Sequence, residues 1–231
     1  MRLTLVYLQL YVVVALFSVT EALGNDPDLA EYYASMQVSD LQLDGDSIDK
    51  VFQKLTERMR QDRKGIAIST VLVKPSKELL QQHITKKFHN QALKDILEEL
   101  CVLAGLHYAL DHHVIMIGAN GVDLSKKSLR MEPPRRDEMQ EIGMRIVIPK
   151  LEFAGTDFMT AANTIKEQST KYNATGKPFI IQFKLHLVPP EPKVYAWFPL
   201  AVSGEAIEYI CMSAGLRYSS PSDGVYILMN K

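Results

Sequence analysis

Residues Ala104-Gly105-Leu106-His107-Tyr108 recur as Ala214-Gly215-Leu216-Arg217-Tyr218, and each cluster has a cysteine three places before it, Cys101 and Cys211. The same step of 110 positions carries Leu41 to Leu151, Gly45 to Gly155 and Phe88 to Phe198. A fixed step that preserves a hydrophobic pattern as well as identities marks an internal repeat, which limits the fold more than any local propensity does. The expected architecture is one small unit built twice.

Both units read in one order. A short strand comes first, with Leu41 and Leu43 inward, matched by Leu151 and Phe153; a turn follows at Gly45 or Gly155. A helix then starts, with Asp46 or Thr156 as the expected N-cap oxygen. Its apolar positions Ile48, Val51, Phe52, Leu55 and Met59 keep the 3.6-residue period, and 110 places on stand Phe158, Ala161, Ala162, Ile165 and Ser169. The serine at the far end predicts weaker burial there. Next come a β-rich stretch (65–73 and 178–187) and a strand alternating at Ile84, Lys86 and Phe88, or Val194, Ala196 and Phe198. The proline-rich run 188–192 is expected as a stiff loop.

A second helix carries the stripe Leu93, Ile96, Leu97, Leu100, Cys101 and Ala104, matched by Ala206, Ile207, Ile210, Cys211 and Ala214. Asn90 is its expected cap in one unit and Ser203 in the other. Gly105 and Gly215 stop the helix in a left-handed conformation, and Leu106 or Leu216 folds back onto Cys101 or Cys211. The recurring cysteines are therefore read as buried free thiols rather than a bridge. A hairpin closes each unit, turning at Asp111-His112-His113 in the first and through residues 219–224 in the second.

These predictions give an α+β fold of two tandem repeats, each with two helices packed on small mixed or antiparallel sheets. The boundaries are a signal peptide over 1–24, a lead-in segment over 25–40, unit one over 41–118, a linker over 119–145 and unit two over 146–231. The signal reading rests on Arg2, an apolar run over 3–19 and small residues at Ala22 and Gly24. It predicts an exported chain with no transmembrane span after cleavage. The formal net charge of −1 excludes strong delocalised attraction to nucleic acid or anionic lipid.

The pattern Ile84-x-x-x-Phe88, the helix from Leu93 to Cys101, the Ala104-Gly105-Leu106-x-Tyr108 stop and the strand 114–117 resemble the secretin/TonB short N-terminal domain. So do Val194-x-x-x-Phe198, Ile207 to Cys211, Ala214-Gly215-Leu216-x-Tyr218 and 225–228. The resemblance covers the second half of each unit. It implies a non-catalytic protein-interaction module of the bacterial envelope, periplasmic or outer-membrane-associated, that contacts an envelope protein or a second copy of itself. No channel or barrel segment follows the units, so channel activity is not implied. The alternative is a periplasmic small-ligand-binding protein using the cleft between units.

Among chemical constellations, His112-His113 with Asp111 is the best metal candidate, but adjacent histidines diverge and a third ligand is missing. Ser203-Gly204-Glu205 lacks the glycines of a nucleophile elbow. Asn173-Ala174-Thr175 fits a glycosylation acceptor only in a eukaryotic secretory route. No catalytic, cofactor or metal residue is assigned. Trp197 aligns with Lys87 and alternates away from Phe198, so Trp197, with Tyr195 on the same strand, is read as a contact for a partner or the linker, with burial against Val188-Pro189-Pro190 as an equal alternative.

Overall fold

The structure, a computed structural model, describes residues 32, 35–62, 68–111, 113–124, 146–174, 176, 178–185, 191–222 and 225–229. The expected signal peptide, most of the lead-in segment, nearly all of the linker and His112 lie outside the described residues. The described chain is mixed α+β. Its first half runs β1 (Gln37–Val38), β2 (Leu41–Ser47), α1 (Ile48–Asp62), β3 (Ser69–Leu72), α2 (Lys77–Leu80), β4 (His83–Phe88), β5 (Gln91–Ala92), α3 (Leu93–Ala104), β6 (Leu106–Asp111) and β7 (Val114–Ala119). The second half runs β8 (Val147–Ile148), β9 (Leu151–Asp157), α4 (Phe158–Tyr172), β10 (Ile180–Lys184), β11 (Lys193–Phe198), β12 (Ala201–Val202), α5 (Ser203–Ala214), β13 (Arg217–Ser222) and β14 (Val225–Met229).

Strand pairing is closely matched between the halves. In antiparallel β1/β5, Val38 faces Gln91; in β8/β12, Ile148 faces Ala201. Leu41 of β2 faces Phe88 of β4, and Leu151 of β9 faces Phe198 of β11. Strand β3 runs parallel to β7, and β10 parallel to β14. The Leu93 N–H donates to Met36 O, as the Ser203 N–H does to Ile146 O.

The halves are joined by a ladder. Strand β11 pairs antiparallel with β3, setting Tyr195 opposite Leu72, Ala196 opposite Val71 and Trp197 opposite Thr70. The result is one five-stranded sheet of order β6-β7-β3-β11-β9. Side chains alternate across a strand, so this sheet feeds two cores. Leu72, Ile115, Ile117 and Trp197 enter the first half's core with α1 and α3. Val71, Val73, Val114, Met116, Val194, Ala196 and Phe198 enter the second half's core with α4 and α5. Strands buried on both faces are apolar along most of their length, which accounts for the unbroken run Val114-Ile115-Met116-Ile117, all buried.

Several local expectations are corrected. Gly45 and Gly155 do not end their strands. They have positive φ (67° and 75°), and each ladder skips one residue there, so the strand bulges and continues. Asp46 and Thr156 are accordingly not helix caps: helix α1 starts at Ile48, and the cap of α4 is Asp157. Asn90 and Ser203 are not caps either, since Ala92 and Val202 hold those positions without side-chain bonds. Ser169 is fully buried, its Oγ donating to Ser203 Oγ at 2.7 Å, so the α4 stripe does not weaken at its end. Strand β13 extends to Ser222, well into the expected turn. Helix α2 was not expected; its signal is Ser76, whose Oγ accepts the Leu79 N–H at 3.2 Å. Finally, Met36 and Val38 are core residues, so the end of the lead-in segment belongs to the folded first half.

Candidate interaction surface

The junction contains the residues expected at a contact. Trp197 is 2% exposed and lies in the first half's core, and Tyr195 is half-buried against the same core. The expectation that they form an exposed partner contact is therefore corrected. They occupy the face of β11 opposite Ala196 and Phe198, as alternation requires, and that face is covered by the chain's own first half. The surrounding polar groups are bonded within the second half and across the junction. Ser213 Oγ accepts the Tyr195 N–H at 3.0 Å, and Ser213 O accepts the Lys74 N–H at 3.1 Å. Tyr209 Oη donates to Asp111 Oδ2 at 3.1 Å, and His113 Nε2 lies 3.2 Å from Glu205 Oε2. Burial, followed by the nearby charges of Asp111, Glu205 and Glu208, pushes the Tyr209 hydroxyl far above its ordinary range. It stays a neutral donor.

A surface groove of about 550 Å³ also crosses from one half to the other. Asp40, Gln53, Glu57 and Arg60 line it from the first half, Lys150 and Glu152 from the second. Its charges answer one another: Arg60 Nη2 lies 2.7 Å from Glu57 Oε1, and Lys150 Nζ 2.9 Å from Glu152 Oε1. Hydrogen bonding to Arg60 holds the Glu57 carboxyl below its usual value. Exposed pairs of this kind are weak and screened.

The helix stops are built as the residues dictate. Gly105 has φ 65° and donates its N–H to Cys101 O. In α5 the Leu216 N–H donates to Cys211 O at 2.9 Å and the Gly215 N–H to Met212 O at 3.1 Å, a Schellman pair. Leu106 and Leu216 are both buried beyond the stop. Cys101 and Cys211 are buried free thiols in separate cores. Burial pushes Cys101 up to about 11 and Cys211 higher still, the opposite of nucleophile activation. Ser203 is fully buried at the first turn of α5, and its Oγ accepts from Ser169. Among the described residues no group of three or more His, Cys, Asp or Glu could hold a metal. Among them too, no helix is long and apolar enough to cross a membrane.

One edge differs from its counterpart. Strand β11 is paired on both sides, to β9 and β3, whereas among the described residues β4 pairs only with β2. Val102 is 83% and Leu103 55% exposed on α3, while Met212 and Ser213, 110 places later on α5, are buried. A Cβ on Gly215 would meet Lys74 Cε at 3.0 Å; a Cβ on Gly105 would meet nothing within 4 Å. Sequence reasoning missed this difference because it looked for exposed aromatics. The available signal was Val102-Leu103, two apolar residues lying off the helix's buried stripe.

No protein-family model matches the chain, and no curated protein matches it.

Proposed function

We propose that this chain is an exported, non-catalytic protein-interaction module made of two tandem units that resemble the secretin/TonB short N-terminal domain. Met36 and Val38 are core residues, so the first unit is taken to include them. The observation that carries the reading is the way one half receives the other. A strand edge of the second half accepts a strand of the first, with Trp197 and Tyr195 inserted into the core beyond. The matched registers of β2/β4 and β9/β11 support duplication. A duplicated unit that joins its twin through an edge strand already has the means to join another protein, because backbone pairing supplies affinity and neighbouring side chains supply choice.

The periplasmic or outer-membrane-associated setting belongs to the same proposal, as does an envelope protein, or a further copy, as partner. The test is affinity capture from a bacterial envelope fraction, followed by reconstitution with the purified candidate. A stoichiometric complex of purified components is the expected result. If no partner reconstitutes while a sugar, peptide or siderophore raises the melting temperature at saturating excess, the ligand-binding alternative replaces this one.

A further inference from the structure

We infer that the two halves form a capped two-unit stack: the joint that ties β3 to β11 is a head-to-tail joint, and polar side chains at both free ends stop a second copy from repeating it. The inference holds whether or not the chain is an interaction module. Within that reading, it restricts a further copy to some other surface.

The joint has a defined polarity. The second half contributes an edge of β11 and the first half an edge of β3. Four side chains cross it. Tyr195 and Trp197 pack into the first half's core, and Val71 and Val73 enter the second half's core.

The repeat places the same two edges at the opposite ends of the stack. Strand β4 meets β2 in the register in which β11 meets β9, a step of 110, so positions 85 and 87 correspond to Tyr195 and Trp197. Strand β10 runs along β14 as β3 runs along β7, with Ile180 facing Val225 where Ser69 faces Val114. Positions 182 and 184 therefore correspond to Val71 and Val73. Among the described residues both edges are unpaired, since β4 pairs only with β2 and β10 only with β14. Were the joint repeated between copies, β10 of one would pair with β4 of the next. A contact between unlike surfaces propagates into filaments or rings.

The four corresponding residues are Thr85, Lys87, Gln182 and Lys184, and all are exposed. Every side chain that crosses the joint is matched by a polar one at a free end. Two of the four are cations, which a repeated joint would bury against an apolar core. The inward positions of the same strands keep their apolar character, with Ile84, Phe88 and Ile181 buried. The change is thus confined to the faces that would meet another copy. Terminal units of a repeat array need a polar outer face to stay soluble, and lysine on an open strand edge guards against edge-to-edge pairing.

The test restores the joint chemistry at one end or at both. One full chain carries Thr85→Tyr and Lys87→Trp, a second carries Gln182→Val and Lys184→Val, and a third carries all four changes. Circular dichroism checks folding and sedimentation velocity reads assembly. The wild type is expected to stay monomeric. The first two variants, mixed in equal amounts, should stop at a one-to-one dimer because each retains one polar end, with association roughly tenfold or more tighter than either shows alone. The third should assemble past the dimer. In the mixed dimer, hydrogen exchange should slow at residues 83–88 of one chain and 180–184 of the other. A wild-type oligomer protected at those two strands overturns the cap, and so does a folded mixture that stays monomeric. Self-association of the separate variants as strong as that of the mixture, or protection confined to other strands, overturns the head-to-tail joint. If the fourfold variant does not fold, the mixed pair decides alone. Capture or loss of an envelope partner bears on the interaction module and leaves this result unchanged.

Discussion

Trp197 of β11 stands opposite Thr70 of β3, and its indole completes the core of the half of the chain to which it does not belong. The two cores are therefore coupled through one strand. Trp197→Ala should cost about 3–5 kcal/mol, as large-to-small changes in a packed core do. Trp197→Phe should cost much less, because among the described residues the indole Nε1 has no acceptor, so mainly volume is lost. In urea, circular dichroism and near-ultraviolet probes should report one shared transition. Two separated transitions would show that the halves fold independently.

Gly105 and Gly215 have the same left-handed conformation in different surroundings. Each Gly→Ala change should cost roughly 1–2 kcal/mol from the strain of a Cβ in that region. Gly215→Ala should cost the larger amount, since its Cβ would meet Lys74 Cε at 3.0 Å while the space at Gly105 is open. Thermal melts of the two variants decide this, and the reverse ranking would contradict the packing around α5.

The buried pair Ser169 and Ser203 joins α4 to α5 through one hydrogen bond of 2.7 Å. Ser169→Ala should destabilise by about 1–3 kcal/mol, because Ser203 Oγ loses its partner in a dry site. Removing both hydroxyls should cost less than the sum of the single changes. A double-mutant cycle measures the coupling, and strict additivity would mean that the bond does not contribute.

The thiols give a pH dependence with a defined sign. Burial raises Cys101 to about 11, so above the unfolded value of about 8.5 the folded chain holds a proton that the unfolded chain has released. Stability is then lost as pH rises from about 8.5 toward 11. Cys211 and Tyr209 are shifted in the same direction and add to the loss. Urea midpoints across that range should fall, and Cys101→Ala should flatten the slope. Thiol labelling of the native chain should be slow at both cysteines and rapid after unfolding.

Much of the local structure was legible because it depends on neighbours in sequence. The stripes of α1 and α3 follow from a 3.6-residue period, the helix stops from glycines that tolerate positive φ, and the buried thiols from their place on those stripes. Where the reading failed, a long-range partner overrode the local signal. Asp46 resembles a cap but pairs with Lys54 at 2.5 Å, and Ser169 resembles a surface residue until Ser203 meets it. Among the candidate contacts, Trp197 and Tyr195 stood out by their odd alternation against Lys87. Whether that alternation faced solvent or another core depended on a strand more than a hundred residues away.

The sequence by itself determined the α+β order of elements, their inward faces and the two glycine stops, since each follows from periodicity and backbone sterics within a few residues. Only the tertiary structure decided that β3 meets β11, that the two cores share one sheet, and that Val102 and Leu103 stay exposed where Met212 and Ser213 are buried. Backbone groups along a strand edge are the same in every sequence. Which edge is filled is therefore set by what the whole fold brings alongside it.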